Sequence, residues 1–220
     1  MGEPVLVTGI GLVTPLGDTL ADFDAALMSG RSAIGMRALA IDGLDACEVP
    51  AAACADFDEG AQRSPSGVQP DRGTAMALRA ARRAFSAAGL EGADGGVAPE
   101  RLGIYWGCGM GGAASFDQAT QSLYVRRRRL RPTTVLTTMP NAAAAELSLA
   151  LAARGASLGY ACACASSAVA IGEAMRALRG GWIDVAVAGG HEALLTPGVM
   201  AGWQAMRVLA PGPASRPFAA

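Results

Sequence analysis

The chain has 220 residues, enough for one compact domain with a core of normal size. Its net charge of −1 gives no reason to expect nucleic acid as a partner, and no run of about twenty apolar residues predicts a membrane span. All 18 basic side chains are arginine, which excludes a catalytic lysine within these residues. Because the first residues lack the basic and apolar start of a secretory signal, a cytoplasmic protein is expected.

The first part of the chain predicts one strand and two helices. A β-branched run at 5–8 predicts a strand that breaks at a glycine turn, and apolar spacing over 19–28 predicts a helix ended by Gly30. Residues 40–70 are rich in Asp, Pro, Ser and Gly, which predicts a surface segment. A second helix is expected over 71–90.

Strands and helices alternate in the rest of the chain. Strands are expected at 101–106, 156–161 and 183–188, and helices at 113–130, 141–154 and 166–179. A glycine-rich loop, 107–112, follows the first of these strands. The alternation favours an α/β layered domain with a largely parallel sheet.

The five cysteines are Cys47, Cys54, Cys108, Cys162 and Cys164. They form no CxxC pair, and the single residue between Cys162 and Cys164 suits neither a relaxed disulfide nor a tetrahedral zinc pair. Reduced thiols and no metal site are therefore expected.

Cys164 stands where a strand is followed by a helix. A helix N-terminus lowers the pKa of a thiol, and the small residues after Cys164 leave room for a substrate thioester and expose N–H groups that can bind an oxyanion. From this pattern alone, a nucleophile and a small buried apolar residue are both open interpretations.

Motifs along the whole chain resemble those of β-ketoacyl-acyl-carrier-protein synthases, condensing enzymes of the thiolase superfamily. Ala163-Cys164-Ala165-Ser166-Ser167 followed by Ala170-Ile171-Gly172 is similar to the family's active-site signature. Further similar motifs occur in family order at 7–11 with 14–17, 30–34, 107–112, 184–192 and 215–218.

The resemblance implies a fold and a chemistry. The family fold has five layers, α-β-α-β-α, and residues 1–220 would form its N-terminal half with the dimer-interface insertion, truncated before the C-terminal half. In this family a cysteine, here Cys164, takes an acyl group from the phosphopantetheine arm of acyl carrier protein, and a decarboxylated malonyl unit then attacks the acyl thioester. No bound cofactor is implied. A homodimer, or a heterodimer with a related subunit, is implied.

The resemblance also suggests roles for other residues. Met110 matches a loop position whose side chain lies at the acyl pocket, although a core-filling role is equally open. Arg126, Arg127 and Arg129, with Arg207, match basic residues that dock the acidic carrier protein, whereas a solvated helix end is the alternative. His191, the single histidine, matches neither catalytic histidine or asparagine of the family's C-terminal half and is interpreted as structural. Condensation by this chain alone is therefore not expected.

Three other functions compete with this interpretation of the sequence. A nicotinamide reductase is disfavoured, because Thr14 stands where the dinucleotide-binding fingerprint needs glycine. A non-catalytic partner subunit of the chain-length-factor type typically lacks the cysteine that is present here. Thiolases share the fold but act on coenzyme A thioesters, and the small residues after Cys164 favour the carrier-protein enzyme. The acyl chain and the pathway, whether fatty acid, polyketide or aryl polyene, stay open.

Overall fold

The computed structural model describes residues 4–41, 44–62, 64–91 and 96–214. Its α-helices are α1 (Leu20–Met28), α2 (Arg72–Ala87), α3 (Ala113–Thr120), α4 (Thr134–Thr138), α5 (Ala142–Ala150), α6 (Ser166–Arg179) and α7 (Pro197–Ala205). Its strands are β1 (Ile34–Ile41), β2 (Leu44–Ala52), β3 (Leu102–Gly107), β4 (Ser157–Tyr160) and β5 (Val185–Gly190). Short 3₁₀ turns lie at Pro99–Arg101 and Ala163–Ala165.

A parallel three-stranded sheet organises the molecule. Its strand order is β4-β3-β5, so that β3 lies in the middle and all six of its residues are buried. Because successive side chains of a strand point to opposite faces, β3 contributes to two cores. Leu102, Ile104 and Trp106 pack with α2 and α5, whereas Tyr105 packs with α6. The result is the α/β layering expected from the alternating pattern.

The segment 40–70, expected as an irregular surface stretch, contains part of an antiparallel hairpin. β1 pairs with β2 from Ile34 opposite Ala52 onwards, with an irregularity between Leu39 and Ile41. Val49 is fully buried and packs with Met200 of α7. Apolar contacts made by α7, which the sequence analysis did not predict, therefore stabilise a hairpin that local composition disfavours.

The strand expected at 5–8 is not formed. Residues 4–13 have no regular secondary structure, and Leu6 and Val7 are 76% and 81% exposed. This segment passes along α2, so closely at Gly11 that an added Cβ would lie 1.9 Å from the Ala80 carbonyl oxygen. A groove of about 670 Å³ is lined by residues 5–14, by apolar residues of α2 and α6, and by β5. β5 pairs only with β3, so among the described residues its other edge is free for hydrogen bonding.

The polar helix expected over 113–130 is shorter than predicted. α3 ends at Thr120, a single π-helical turn covers Gln121–Val125, and the chain then becomes irregular. Arg127 adopts a φ of 53°, a left-handed conformation that cannot continue a right-handed helix. The run of four arginines therefore lies in a loop. Repulsion between adjacent guanidinium groups disfavours a helix there.

In the part of the chain that the model describes, no helix is long and apolar enough to cross a membrane.

Candidate active site

The site lies at the carboxyl ends of the three parallel strands. The loop after β4 carries Cys164, residues 108–112 after β3 form a loop that carries Met110, and Glu192 follows β5. We call residues 108–112 the Met110 loop. Because β3 is the middle strand, the Met110 loop lies between the other two. Ligand sites of open α/β sheets characteristically form at this edge.

Cys164 is exposed in the 3₁₀ turn that leads directly into α6. The preceding residue, Ala163, adopts a φ of 51°, which is unfavourable for an L-residue with a Cβ. The Ser166 hydroxyl closes this turn, since Oγ accepts a hydrogen bond from the Cys162 N–H (2.8 Å) and donates one to the Ala163 carbonyl (2.7 Å). Buried Ser166 thus holds a strained turn that presents Cys164 at the positive end of a 14-residue helix.

Two glycines allow the strand ends to approach this turn. A Cβ on Gly107, the last residue of β3, would lie 2.3–2.5 Å from backbone atoms of Ser166 and Ser167. A Cβ on Gly190, the last residue of β5, would lie 2.7 Å from the Gly107 carbonyl oxygen and from Cβ of Ser167. The start of α6 therefore rests directly on the sheet, and any side chain at these positions would displace it.

The second cysteine at a strand end is buried. Cys108 follows β3, its Sγ lies 3.5 Å from Glu192 Oε1, and it accepts a hydrogen bond from the Gly111 N–H. Burial, reinforced by the neighbouring Glu192 carboxylate, raises the pKa of Cys108 to about 12. Cys108 therefore stays a protonated thiol at neutral pH and has no nucleophilic character.

Glu192 joins the site although the sequence analysis gave it no role. Its Oε2 accepts a hydrogen bond from the Gly109 N–H at 2.8 Å. Gly109 in turn touches the Cys164 turn, since its Cβ position lies 3.7 Å from the Ala163 carbonyl oxygen. An acidic residue two positions after the paired glycines that end β5 was the available signal, because strand ends at this edge converge.

Met110 lies in the loop after β3, next to Gly109, and its side chain is 48% exposed. The side chain therefore fills no gap in the core formed by the described residues. Its role at an acyl pocket stays a prediction.

His191 takes part in packing beside the site. The Trp106 Nε1–H donates to His191 Nδ1 at 2.9 Å, and the two rings stack with centroids 6.4 Å apart. The other nitrogen, Nε2, is shielded from solvent and has no hydrogen-bond partner among the residues that the structure describes. Burial lowers the pKa of His191 from 6.5 to about 4, so the ring is neutral at physiological pH. These contacts favour the structural role expected for this histidine.

The four arginines expected to dock a carrier protein are all exposed. Arg126, Arg127 and Arg129 belong to the loop after the π-helical turn, and Arg207 follows the end of α7 with a φ of 57°. Arg207 thus belongs to a different segment of the chain from the other three. The docking role of these exposed side chains stays a prediction.

Within the described ranges, no three or more His, Cys, Asp or Glu side chains lie close enough together to hold a metal ion.

A model of a protein family matches residues 2–220, and its description is "Beta-ketoacyl synthase, N-terminal domain". Nodulation protein E of Rhizobium meliloti (strain 1021) is 34% identical over 225 residues, which cover 100% of this chain and 54% of that protein. The 3-oxoacyl-[acyl-carrier-protein] synthase 2 of Synechocystis sp. is 32% identical, over 97% of this chain and 52% of that protein. The chain thus spans about half the length of these curated relatives.

Solved structures show the same fold. A β-ketoacyl synthase from Burkholderia phymatum STM815 matches with a TM-score of 0.80 and 24% identity, over 96% of this chain and 53% of that one. A ketosynthase from Xenorhabdus doucetiae, solved in complex with its chain length factor, matches with a TM-score of 0.74 and 19% identity, over 93% and 51%. The fold is thiolase-like, and the chain belongs to the β-ketoacyl synthase family, within that family's N-terminal domain.

Proposed function

We propose that this chain is the nucleophile-bearing half of an acyl-carrier-protein-dependent condensing enzyme, with Cys164 as the acyl acceptor. The observation that carries the proposal is the exposed thiol of Cys164, held by a strained turn at the N-terminus of α6. A relative named 3-oxoacyl-[acyl-carrier-protein] synthase 2 supports the substrate class.

The first half-reaction is a transthioesterification. The Cys164 thiolate attacks the carbonyl carbon of an acyl thioester on the carrier's phosphopantetheine arm. A new S–C bond forms through a tetrahedral oxyanion, the old S–C bond breaks, and the carrier thiolate leaves and takes up a proton. The N-terminus of α6, where the helix dipole is positive, is the feature proposed to stabilise the oxyanion.

Carbon–carbon bond formation needs groups beyond those described. Decarboxylation of a malonyl unit and attack of the resulting carbanion on the acyl-cysteine call for acid–base or oxyanion-stabilising groups near Cys164. The single histidine, His191, has Nδ1 occupied by Trp106 and Nε2 shielded from solvent. We therefore propose that the isolated chain is acylated without completing condensation.

The apolar groove beside β5 supports the view that the chain is completed by further polypeptide. Its walls are residues 5–14, which form no strand, and the free edge of β5. Unpaired backbone next to exposed apolar side chains such as Leu6 and Val7 favours association or aggregation of an isolated chain. Purified alone, the chain should therefore show concentration-dependent aggregation in light scattering.

Carrier-protein docking is proposed for Arg126, Arg127, Arg129 and Arg207. Changing the first three to glutamate should weaken binding of acyl carrier protein about tenfold or more at low salt, with a smaller difference at high salt. A matched control changes Arg154, Arg176 and Arg179 to glutamate, since these arginines are exposed and lie far along the chain from the docking loop. Equal weakening by both triple variants would show a net-charge effect and contradict docking at this loop.

A dimer through the β4 edge is proposed as the assembly. Within the described part of the chain β4 pairs only with β3, and Leu158 on this short strand is 45% exposed. A solved neighbour that pairs with a chain length factor supports either a homodimer or a heterodimer with a related subunit. A Leu158→Arg change should shift the protein to monomer in size-exclusion chromatography with light scattering; an unchanged dimer would rule out this edge.

The decisive experiment is mass spectrometry of the protein after incubation with an acyl-carrier-protein thioester. Acylation should appear on Cys164, disappear in Cys164→Ala and persist in Cys162→Ala. Acyl groups found on Cys162 would contradict the assignment. The absence of any acyl-enzyme would favour a non-catalytic partner subunit, and acylation by coenzyme A thioesters alone would favour thiolase chemistry.

A further inference from the structure

The Met110 loop is held at its beginning by the side chain of Glu192. Both carboxylate oxygens are engaged there, Oε2 with the Gly109 N–H at 2.8 Å and Oε1 with Cys108 Sγ at 3.5 Å. Glu192 is exposed, so this contact is made at the rim of the site and not in the core. It is the contact immediately before Met110 along the chain.

The end of the same loop is held by a second carboxylate. Buried Asp71 caps α2 through the Gly73 N–H and also accepts a hydrogen bond from the Ser115 N–H at 2.8 Å. Gly112 packs tightly as well, since its Cβ position lies 1.9 Å from the Thr137 carbonyl oxygen. The loop is therefore fixed on both sides of Met110. Of the two carboxylates, only Glu192 acts on the side next to Cys164.

Glu192 lies where the Met110 loop approaches the Cys164 turn. A Cβ built on Gly109 would lie 2.7 Å from Glu192 Oε2 and 3.7 Å from the Ala163 carbonyl oxygen. Met110 and Cys164 are the next residues of these two neighbouring segments. A shift of Gly109 away from the Cys164 turn would therefore carry Met110 with it.

We infer that Glu192 is a positioning residue that holds the Met110 loop against the Cys164 turn and thereby limits, through Met110, which acyl chains Cys164 accepts. This inference rests on the proposed function, because it concerns the acylation of Cys164. In this role Glu192 contacts neither the acyl group nor the Cys164 thiol. It acts through the Gly109 N–H on the position of Met110. The quantity that it controls is therefore the selectivity of Cys164 for acyl chain length.

The test compares acylation of Cys164 by hexanoyl and dodecanoyl N-acetylcysteamine thioesters, measured by mass spectrometry over time. Glu192→Ala and Glu192→Asp both remove the acceptor from reach of Gly109, so the dodecanoyl-to-hexanoyl rate ratio should rise about fivefold. Glu192→Gln keeps an acceptor oxygen at full length and should restore the original ratio. Glu100→Gln, an exposed residue paired with Arg154, is the control and should leave the ratio unchanged.

The alkylation rate of Cys164 by a small reagent distinguishes a positioning role of Glu192 from a loss of folded structure. Alkylation of Cys164 by iodoacetamide, which is too small to meet Met110, should change by no more than about twofold in the Glu192 variants, because solvent and salt screen an exposed carboxylate. A parallel loss of alkylation and of both acylation rates would show a merely structural role and overturn the inference.

A double-mutant cycle tests whether Glu192 acts through Met110. Met110→Ala should raise the same ratio, and adding Glu192→Ala to it should produce little further change. Fully additive effects would overturn the inference. Failure of the unmodified protein to acylate Cys164 with either thioester would refute the proposed function itself, whereas normal acylation with unaltered selectivity in the Glu192 variants would refute only the role of Glu192.

Discussion

Two cysteines of this protein each follow a strand of the same parallel sheet, and their environments are opposite. Cys164, after β4, is exposed on a strained turn at the N-terminus of α6. Cys108, after β3, is buried beside the Glu192 carboxylate, and burial raises its pKa to about 12. A loop that follows the middle strand lies between the loops of both neighbouring strands, whereas a loop that follows an edge strand has a neighbouring loop on one side only. Position in the sheet thus separates an exposed thiol from a buried one.

The largest expected effect is on thiol reactivity. With a pKa of about 12, Cys108 is roughly 10⁻⁴ thiolate at pH 8, and burial hinders reagents further. Iodoacetamide should therefore modify Cys164 at least about a hundredfold faster than Cys108, as measured by peptide mass spectrometry. The difference should vanish in denaturant. Comparable rates in the folded protein would contradict the burial of Cys108.

The contact between the sheet and α6 should be intolerant of a methyl group at Gly107. Gly107→Ala would place a Cβ within 2.5 Å of backbone atoms at the start of α6, and backbone cannot yield as a side chain end does. We expect a loss of about 3 kcal/mol of unfolding free energy or more, measured by urea denaturation.

Gly172→Ala is the matched control, since it lies within α6 with nothing within 4 Å of its Cβ position. It should stabilise the protein by about 0.5–1 kcal/mol, because alanine favours the helix. Equal destabilisation by both changes would mean that Gly107 is not in close contact with α6.

His191 is buried as a neutral ring, and this predicts that the stability of the folded protein depends on pH. The folded-state pKa of His191, about 4, is lower than its ordinary value of 6.5, so the unfolded chain binds the proton more readily. Stability is therefore full above pH 6.5 and falls as the pH decreases towards 4, by about 3 kcal/mol in all.

His191→Gln removes this titration, and because no other histidine is present, the control is clean. Unfolding free energies at pH 7 and pH 5 should differ less in the variant than in the unmodified protein. An identical difference in both would rule out a buried neutral His191.

The smallest expected effect concerns the turn that carries Cys164. Ser166→Ala removes the hydroxyl that bonds Cys162 N–H and the Ala163 carbonyl, and should cost about 1–2 kcal/mol in urea denaturation. It should also slow alkylation of Cys164 while leaving Cys108 unaffected. Ser167→Ala, one residue later, is the control, since the Ser167 hydroxyl makes no such paired contact across the turn. Equal effects of the two changes would contradict a role for the Ser166 hydroxyl.

Much of the fold was predictable where local signals agree. α6 was predicted at its observed bounds, because Ser166 starts and Gly180 ends a clear apolar period. The three parallel strands were predicted to within about two residues, since glycine or proline residues flank each of these short runs. Predictions were wrong where partners distant in the chain decide. The hairpin β1–β2 depends on α7, and residues 5–8, apolar enough for a strand, have no strand partner in the described structure.

The sequence by itself determined the family, the α/β layering and the identity of Cys164 as the candidate nucleophile, because these depend on motifs and periodicity carried by short contiguous stretches. Only the tertiary structure decided that Cys108 is buried, that Ser166 holds the Cys164 turn and that Glu192 meets Gly109. The physical reason is strand order. Residues about 80 positions apart, such as Gly109 and Glu192, come together only because β5 pairs beside β3, and nothing in either local stretch encodes that neighbour.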